Sequence, residues 1–475
     1  MAETVRADLC VIGAGTGGLV VAAGASQMGA DTVLIESGRM GGDCLNYGCV
    51  PSKALLAAGH VAQAIRGAGA FGVDGHEPAI DFARVHDHVH EVIARIAPSD
   101  SRERFEGLGV RVIRARASFT GPDEVEAGGV RVRARRFVVA TGSRPVAPPI
   151  PGLDGVPYFT NETIFDNRVQ PEHLIVIGGG PIGSEMAQAH RRLGARVSVL
   201  QRGTILPRDD PELTAVVRER FTAEGIALFE RAAVERVERH GNGVAVTVRP
   251  DGREAVRLEG SDLLVAAGRR ADVEGLSLAA AGVEHGERGI KVDARLRTTN
   301  KRVYAVGDVV GGYQFTHLAA YHAGIVIRNA LFRLPARVDY GALPWVTYTD
   351  PELAHVGLTE ARARERGEPV EVLRWTFEDN DRAQTERRTE GLVKVVATKR
   401  GRVLGASIVG PRAGELIPPW VLAIGRKLKV GALAGAIVPY PTLSEVSKRA
   451  AGNFYAPKLF SAKTRMLVRF LARFG

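Results

Sequence analysis

Cys44 and Cys49 stand five positions apart in GGDCLNYGCVPSK, residues 41–53 of a 475-residue chain that has only 3 cysteines. A pair this close can lock a loop, hold a metal or cycle between dithiol and disulfide. A structural disulfide over so short a loop removes little chain entropy. A structural zinc site needs about four ligands, and the third cysteine, Cys10, falls in a stretch that reads as a buried strand. Redox cycling fits best. Pro51 suits the first turn of a helix that continues through Ser52 and Lys53. Cys49 then lies at the helix N-terminus, where the dipole favours thiolate over thiol. One sulfur can stay beside an electron donor while the other meets an acceptor.

Such a couple needs reducing equivalents, and two glycine-rich turns offer places for them. GAGTGG at 13–18 follows an apolar strand at 8–12 and precedes an alanine-rich helix; a second strand at 31–35 ends in Glu36. GGGPIG at 178–183 follows a strand at 173–177 and precedes another helix, with a strand at 196–200 running into Gln201 and Arg202. Each is a βαβ unit of about thirty residues, the length a dinucleotide fold requires. In each turn the first glycine (Gly13, Gly178) permits the bend. The second (Gly15, Gly180) lets backbone approach a pyrophosphate, and the third (Gly18, Gly183) lets helix and strand pack closely. The helix N-terminus presents free N–H groups to the phosphates. Glu36 can accept hydrogen bonds from a ribose diol. Arg202, with Arg208, could instead receive a 2′-phosphate, which favours NADPH over NADH at the second unit; a solvated surface arginine is the plain alternative. One unit would serve a flavin and the other a nicotinamide.

Composition sets the outer limits. The chain is 45% hydrophobic and 24% charged, with a formal net charge of +10 and a pI near 9.7. The arginines are dispersed and no nucleic-acid motif is present, so the positive charge points to anionic cofactors or membrane surfaces rather than nucleic acid. No run is apolar enough to span a bilayer, and MAETVRADLC lacks the apolar core of a signal peptide; a cytosolic protein is expected. Proline-rich 145–151 reads as a boundary. FVVATG at 137–142 precedes it, LLVAAG at 263–268 echoes it, and VYAVGD at 303–308 is a strand ending in an acid. Beyond about residue 341 the texture becomes that of a separate α+β domain. The expected divisions are 1–150 and 274–340 for one dinucleotide-binding domain, 151–273 for the other, 341–461 for a C-terminal domain and 462–475 for a tail.

With these motifs in view, the sequence resembles the flavin-dependent pyridine nucleotide–disulfide oxidoreductases, the family of dihydrolipoamide dehydrogenase, glutathione reductase and mercuric reductase. GAGTGG, GGDCLNYGCVPSK, ATGSRP at 140–145, GGGPIGSE at 178–185, AVGDV at 305–309 and YPTLSE at 440–445 carry the resemblance, which covers nearly the whole chain. It implies an α/β protein with two Rossmann-like domains, for FAD and NAD(P), and a C-terminal α+β dimerisation domain forming a homodimer. It implies that Asp308 contacts the FAD ribityl chain, with Gly42, Thr141, Gly142 and Gly268 among the cofactor-binding positions. Cys49 is similar to the flavin-proximal thiol and Cys44 to the interchange thiol that attacks substrate. Lys53 would lie by the flavin, paired with Glu185. The implied activity is an NAD(P)H oxidoreductase that passes electrons through FAD and Cys44–Cys49 to an acceptor. A diaphorase, quinone reductase or transhydrogenase acting from the flavin is the rival, as is a membrane-docked redox adaptor.

Two departures bear on the acceptor. Disulfide-processing members begin the last motif with histidine; here Tyr440 takes that place, and a phenol titrating near 10 is a poor base at neutral pH. Mercuric reductases also have tyrosine there, and Gln314-Phe315 is similar too, but their C-terminal cysteine pair has no counterpart, because no cysteine follows Cys49. The acceptor is left among a disulfide, a soft metal ion and a quinone-like compound. Glu445 would orient the base of the motif, or would only complete a capping box from Thr442. His86, His88 and His90 suggest a metal cluster, but only His86 and His90 share a helical face, so no metal site is assigned. His317 is a candidate neighbour of the flavin. In the tail, Leu467, Phe470, Leu471 and Phe474 recur at helical spacing, with Arg465, Arg469 and Arg473 every four residues. That is a basic amphipathic helix, fit for packing on its own dimer or for peripheral contact with an anionic membrane.

Overall fold

The computed structural model describes residues 3–367 and 369–474. They form two compact units. The first takes Met1–Gly178, Ala189–Leu200 and Ala232–Asp339; the second takes Gly179–Gln188, Gln201–Arg231 and Tyr340–Gly475.

In the first unit, the strand Glu3–Ile12 starts earlier than the apolar run suggested, because its first half pairs in parallel with Val130–Val139 from Glu3↔Val130 to Ile12↔Val139. On its other side it pairs with Thr32–Glu36, which in turn pairs with Arg111–Arg114. Val303–Ala305 joins Val130–Val139 in parallel, and the antiparallel strands Ala117–Gly121 and Glu124–Ala127 extend the same sheet. Side chains alternate across the sheet. Leu9, Val11, Leu34 and Val138 pack on one face with Ala22, Ala25, Ile325 and Val326 of the helices Thr16–Gln27 and Thr316–Ala330. Cys10, Ile12, Val33, Phe137 and Val303 fill the other face around Phe119. Cys10 is fully buried, and burial pushes its thiol pKa far up. It is core, as its strand suggested.

The second βαβ unit forms at the predicted positions. The strands His173–Ile177 and Arg196–Leu200 pair in parallel, Asp262–Val265 flanks His173–Ile177, and the helix Pro181–Arg192 connects the first two along the chain. An antiparallel sheet of Ala232–His240, Gly243–Pro250 and Val256–Gly260 follows.

The second unit is built on a five-stranded antiparallel sheet in the order Pro344–Thr347, Glu352–Gly357, Val403–Gly410, Leu392–Thr398, Val370–Thr376. Trp420, Phe377, Val393, Val395 and Ile408 form its core under the helices Pro418–Gly425 and Glu445–Gly452. The mixed α/β fold with an α+β C-terminal part is the one expected.

Candidate active site

The cysteine segment folds as the short helix Gly42–Asn46 followed by the helix Cys49–Gly67. Cys49 is therefore the first helical residue, and Pro51 lies in the first turn, where its missing N–H costs nothing. No side chain caps this helix, so its N-terminal N–H groups remain directed at the sulfur's end of the helix. All three cysteines are free thiols. The Cys44 and Cys49 sulfurs share a hydrogen bond, which is the largest influence on both. It holds the Cys49 thiol down at about 6 and pushes that of Cys44 well above the ordinary range. Cys49 is the acceptor of the pair and Cys44 the donor. Thr316 Oγ1 lies 3.2 Å from Cys49 Sγ and donates to the thiolate. Lys53, one turn further along the helix, adds a favourable charge. At neutral pH the site holds one thiolate, Cys49, and one thiol, Cys44.

Asp43 immediately precedes Cys44, and its carboxylate disfavours both thiolates. It is held by two nearly buried partners. Asn161 Nδ2 donates to Asp43 Oδ1 at 3.1 Å, and the Arg269 guanidinium pairs with the same oxygen at 3.2 Å. Arg269 also donates to Asn161 Oδ1 at 3.0 Å and, through Nε, to Ser143 Oγ at 2.8 Å; Ser143 Oγ donates to Asp308 Oδ2 at 2.7 Å. A single arginine thus ties the cysteine segment to Asp308, whose carboxyl pKa is raised by burial. The tie exists because the two similar motifs meet. Ser143–Pro145, after FVVATG, pairs antiparallel with Arg269–Ala271, after LLVAAG. Thr141 Oγ1 donates to Asp272 O at 2.6 Å beside them, and Gly142 and Gly268 take positive φ at the two bends.

The first glycine turn faces the same segment. A Cβ on Gly18 would lie 1.8 Å from Gly13 O, and one on Gly42 would lie 2.7 Å from Gly15 Cα. Two stretches of bare backbone therefore meet, next to a helix start at Gly15 that no side chain caps. Glu36 Oε2 accepts from Ala14 N–H at 2.6 Å, as the carboxylate closing the unit. In the second turn, Gln201 Oε1 accepts from Gly179 N–H at 2.8 Å, Gly180 has open space where a Cβ would stand, and Arg202 is exposed, as is Arg208.

Lys53 Nζ donates to Ser52 Oγ at 3.3 Å in the first unit, while Glu185, nearly buried in the second, accepts from Tyr348 N–H at 3.0 Å. Tyr440 is 70% exposed and donates its hydroxyl to Asp381 Oδ2 at 2.7 Å. That bond, with further negative charge from Asp381 and Glu445, pushes the phenol pKa above its usual 10. The capping box is not formed: the helix Glu445–Gly452 starts at Glu445 itself, and the Thr442 hydroxyl is engaged with Pro439 O and Ser444 Oγ. His86 and His90 stack at 4.0 Å on the helix Phe82–Ile96, as their spacing predicted, with His88 exposed. Among the described residues no group of three or more His, Cys, Asp or Glu could hold a metal. His317 stacks on Phe315 at 5.3 Å. His322 is fully buried with its pKa depressed to about 4, so its neutral Nδ1 accepts from Gly307 N–H at 3.2 Å. Thr316, Asp43, Asn161 and Arg269 were missed by sequence reasoning. For Arg269 a signal existed, since it directly follows the glycine of the repeated motif.

A family model described as pyridine nucleotide-disulphide oxidoreductase matches residues 7–323, and one for the dimerisation domain of that family matches 343–451. The chain belongs to the pyridine nucleotide–disulphide oxidoreductases. A mercuric reductase from Streptomyces lividans is 39% identical over 456 residues, covering 94% of this chain and 96% of the relative. A dihydrolipoyl dehydrogenase from Thermus scotoductus is 36% identical over 455 residues, with the same coverage. Among solved structures, the Cu(II) complex of the HOCl-induced flavoprotein disulfide reductase RclA from Escherichia coli matches with a TM-score of 0.84 at 27% identity, over 93% of this chain and 98% of that one. This pyridine nucleotide–disulphide oxidoreductase is a flavoprotein that uses a pyridine nucleotide, and its dimerisation domain supports a homodimer. The residues fit FAD: the opposed bare backbones at Gly15 and Gly42 and the uncapped helix start make room and N–H donors for a pyrophosphate. No described helix is long and apolar enough to cross a membrane.

Proposed function

We propose that this protein is an NADPH-preferring reductase whose Cys44–Cys49 pair delivers electrons to a soft metal ion, with Hg(II) as the model acceptor. FAD, when bound, supplies the two-electron centre between the nicotinamide and the cysteines. The other parts belong to the chain. Gly13, Gly15, Gly18, Glu36, Gly42, Thr141, Gly142, Gly268 and Asp308 would hold FAD. Gly178, Gly180, Gly183 and Arg202 would hold the nicotinamide nucleotide, with Arg202 on the 2′-phosphate. Cys49, with Thr316 and Lys53 beside it, would be the thiolate on the flavin side, and Cys44 would be the thiol that meets the acceptor. Lys53 and Glu185 would complete the set of charged residues that serve the catalytic centre. The reaction balances as NADPH + Hg(II) → NADP⁺ + H⁺ + Hg(0).

The observation that carries this reading is the state of Tyr440. Reducing a disulfide requires a base that exchanges protons with the thiols. Tyr440, with its hydroxyl given to Asp381 and its pKa pushed above 10, does not supply one at neutral pH. A soft cation needs thiolate ligands rather than a base. The mercuric reductase relatives support the same choice.

The test is NADPH oxidation with Hg(II) plus excess small thiol, beside oxidised lipoamide, in the wild type and in Cys44→Ser. Turnover with Hg(II) that is lost in Cys44→Ser is expected, with little on lipoamide. Faster turnover of lipoamide than of Hg(II) would overturn the metal-ion reading. Turnover that survives Cys44→Ser would assign the protein to the diaphorases.

A further inference from the structure

After the dimerisation-domain match the chain ends in a segment the redox chemistry does not use. The helix Ala462–Leu471 is locally built. Ser461 Oγ accepts from Thr464 N–H at 3.2 Å, Thr464 Oγ1 donates to Lys458 O at 2.7 Å, and Arg465 Nη2 donates to Phe460 O at 3.1 Å. Its apolar side chains are nevertheless exposed: Met466 by 70%, Leu467 by 55%, Phe470 by 54%, Leu471 by 54% and Phe474 by 74%. At about 100° per residue these five fall on one face, while Arg465 falls opposite and Arg469 and Arg473 lead round to the Met466 edge of that face. After Glu445 the chain has Lys448, Arg449, Lys458, Lys463, Arg465, Arg469 and Arg473, and no acidic residue at all.

The charge decides between occupants. Two copies of this helix packing their apolar faces about a two-fold axis would bury Lys463, which falls among those side chains, with no carboxylate in the segment to pair it, and an unpaired buried charge is costly. An anionic lipid surface satisfies both faces at once. Apolar side chains enter the boundary between headgroups and acyl chains, and the guanidiniums meet phosphates in fork geometry. The long Lys463 stem, which rises within the apolar face, can carry its ammonium out to the same headgroups. We propose that residues 462–474 dock this enzyme on anionic membrane surfaces, the helix lying in the plane of the interface with Leu467, Phe470, Leu471 and Phe474 inserted. One such helix gives weak, reversible attachment. A homodimer carries two, and the second binds at high effective concentration. The inference is independent of which acceptor Cys44 meets.

The test uses the full-length, FAD-loaded protein and vesicles of phosphatidylcholine with or without phosphatidylglycerol. Co-sedimentation with the anionic vesicles at low salt is expected, weakening at high salt, with none on neutral vesicles. Arg465→Gln, Arg469→Gln and Arg473→Gln together should weaken it roughly 100-fold, at the scale of about fivefold per basic residue. Leu467→Ser, Phe470→Ser and Leu471→Ser together should abolish it. Both variants should keep wild-type NADPH oxidation and dimer mass, which shows that they fold. Wild-type protein that stays in the supernatant with anionic vesicles would overturn the proposal. So would equal binding to neutral vesicles. Dissociation of the dimer by the serine variant would reassign the face to subunit contact.

Discussion

At the end of Thr32–Glu36 a carboxylate accepts the Ala14 N–H; at the end of Arg196–Leu200 the Gln201 carboxamide accepts the Gly179 N–H in the same way. The two glycine turns thus share a backbone device and differ in the charge that closes it. Glu36 is anionic, and its other oxygen takes the Gly38 N–H at 2.5 Å. Gln201 is neutral and is followed by an exposed guanidinium, Arg202. An anionic closing group suits a ribose diol and repels an added phosphate; a neutral one beside arginine does the reverse. The turns also differ in what covers them. The first is roofed by the cysteine segment, with Gly42 against Gly15, whereas Gly180 has open space around it. Equivalent sequence patterns therefore carry unequal structural constraints.

The largest test sets an alanine at the third glycine of the first turn against one at the second glycine of the other. Gly18→Ala puts a methyl 1.8 Å from Gly13 O, where only backbone can yield. It should cost about 3 kcal/mol or more and prevent FAD retention. Gly180→Ala should change stability by less than about 0.5 kcal/mol, keep its flavin spectrum and weaken the nicotinamide nucleotide. Thermal melts and the flavin-to-protein absorbance ratio decide, and equal damage from both substitutions would end the comparison.

A smaller effect is expected at the closing groups. Arg202→Ala should lower kcat/KM for NADPH about tenfold and leave NADH unchanged, the scale of one lost charge-assisted hydrogen bond. Equal values for both nucleotides in wild type and variant would make Arg202 a surface residue.

The most delicate test concerns the segment over the first turn. The Cys49 thiol is depressed to about 6, so it is thiolate above that pH and reprotonates as pH falls through it. Alkylation of the reduced enzyme by iodoacetamide should therefore show a midpoint near 6, against about 8.5 for an ordinary thiol. Arg269→Gln leaves the Asp43 charge unpaired and should move the midpoint to higher pH; adding Asp43→Asn should move it back. An unmoved midpoint in Arg269→Gln would reduce the arginine to a packing role.

Much of this site was legible because it is local. Strand, glycine turn and helix occupy contiguous residues at both units, and the strands at 173–177 and 196–200 lie where the apolar runs put them. Cys49 at a helix start followed from Pro51. Two patterns misled, one through a competing local bond and one through partners remote in sequence. Thr442-Leu-Ser-Glu445 has the pattern of a capping box, yet the helix starts at Glu445 because the Thr442 hydroxyl bonds backward to Pro439. Lys394 sits in an apolar strand as though misplaced, but it is nearly buried against Asp210, Glu212 and Glu360 at 2.8–2.9 Å. No spacing rule links those positions.

The sequence by itself determined the two nucleotide-type turns, the thiolate position of Cys49, the substitution of tyrosine for histidine at 440 and the basic face of the tail. Each depends on backbone geometry or charge within a few neighbouring residues. The tertiary structure alone decided that Arg269 joins Asp43 to Ser143 and Asp308, that Thr316 reaches the Cys49 sulfur, and that Asp381 holds the Tyr440 hydroxyl. Polar pairing of this kind follows from strand pairing and register, such as Arg269–Ala271 on Ser143–Pro145, and topology brings together groups that the chain keeps from 59 to more than two hundred residues apart.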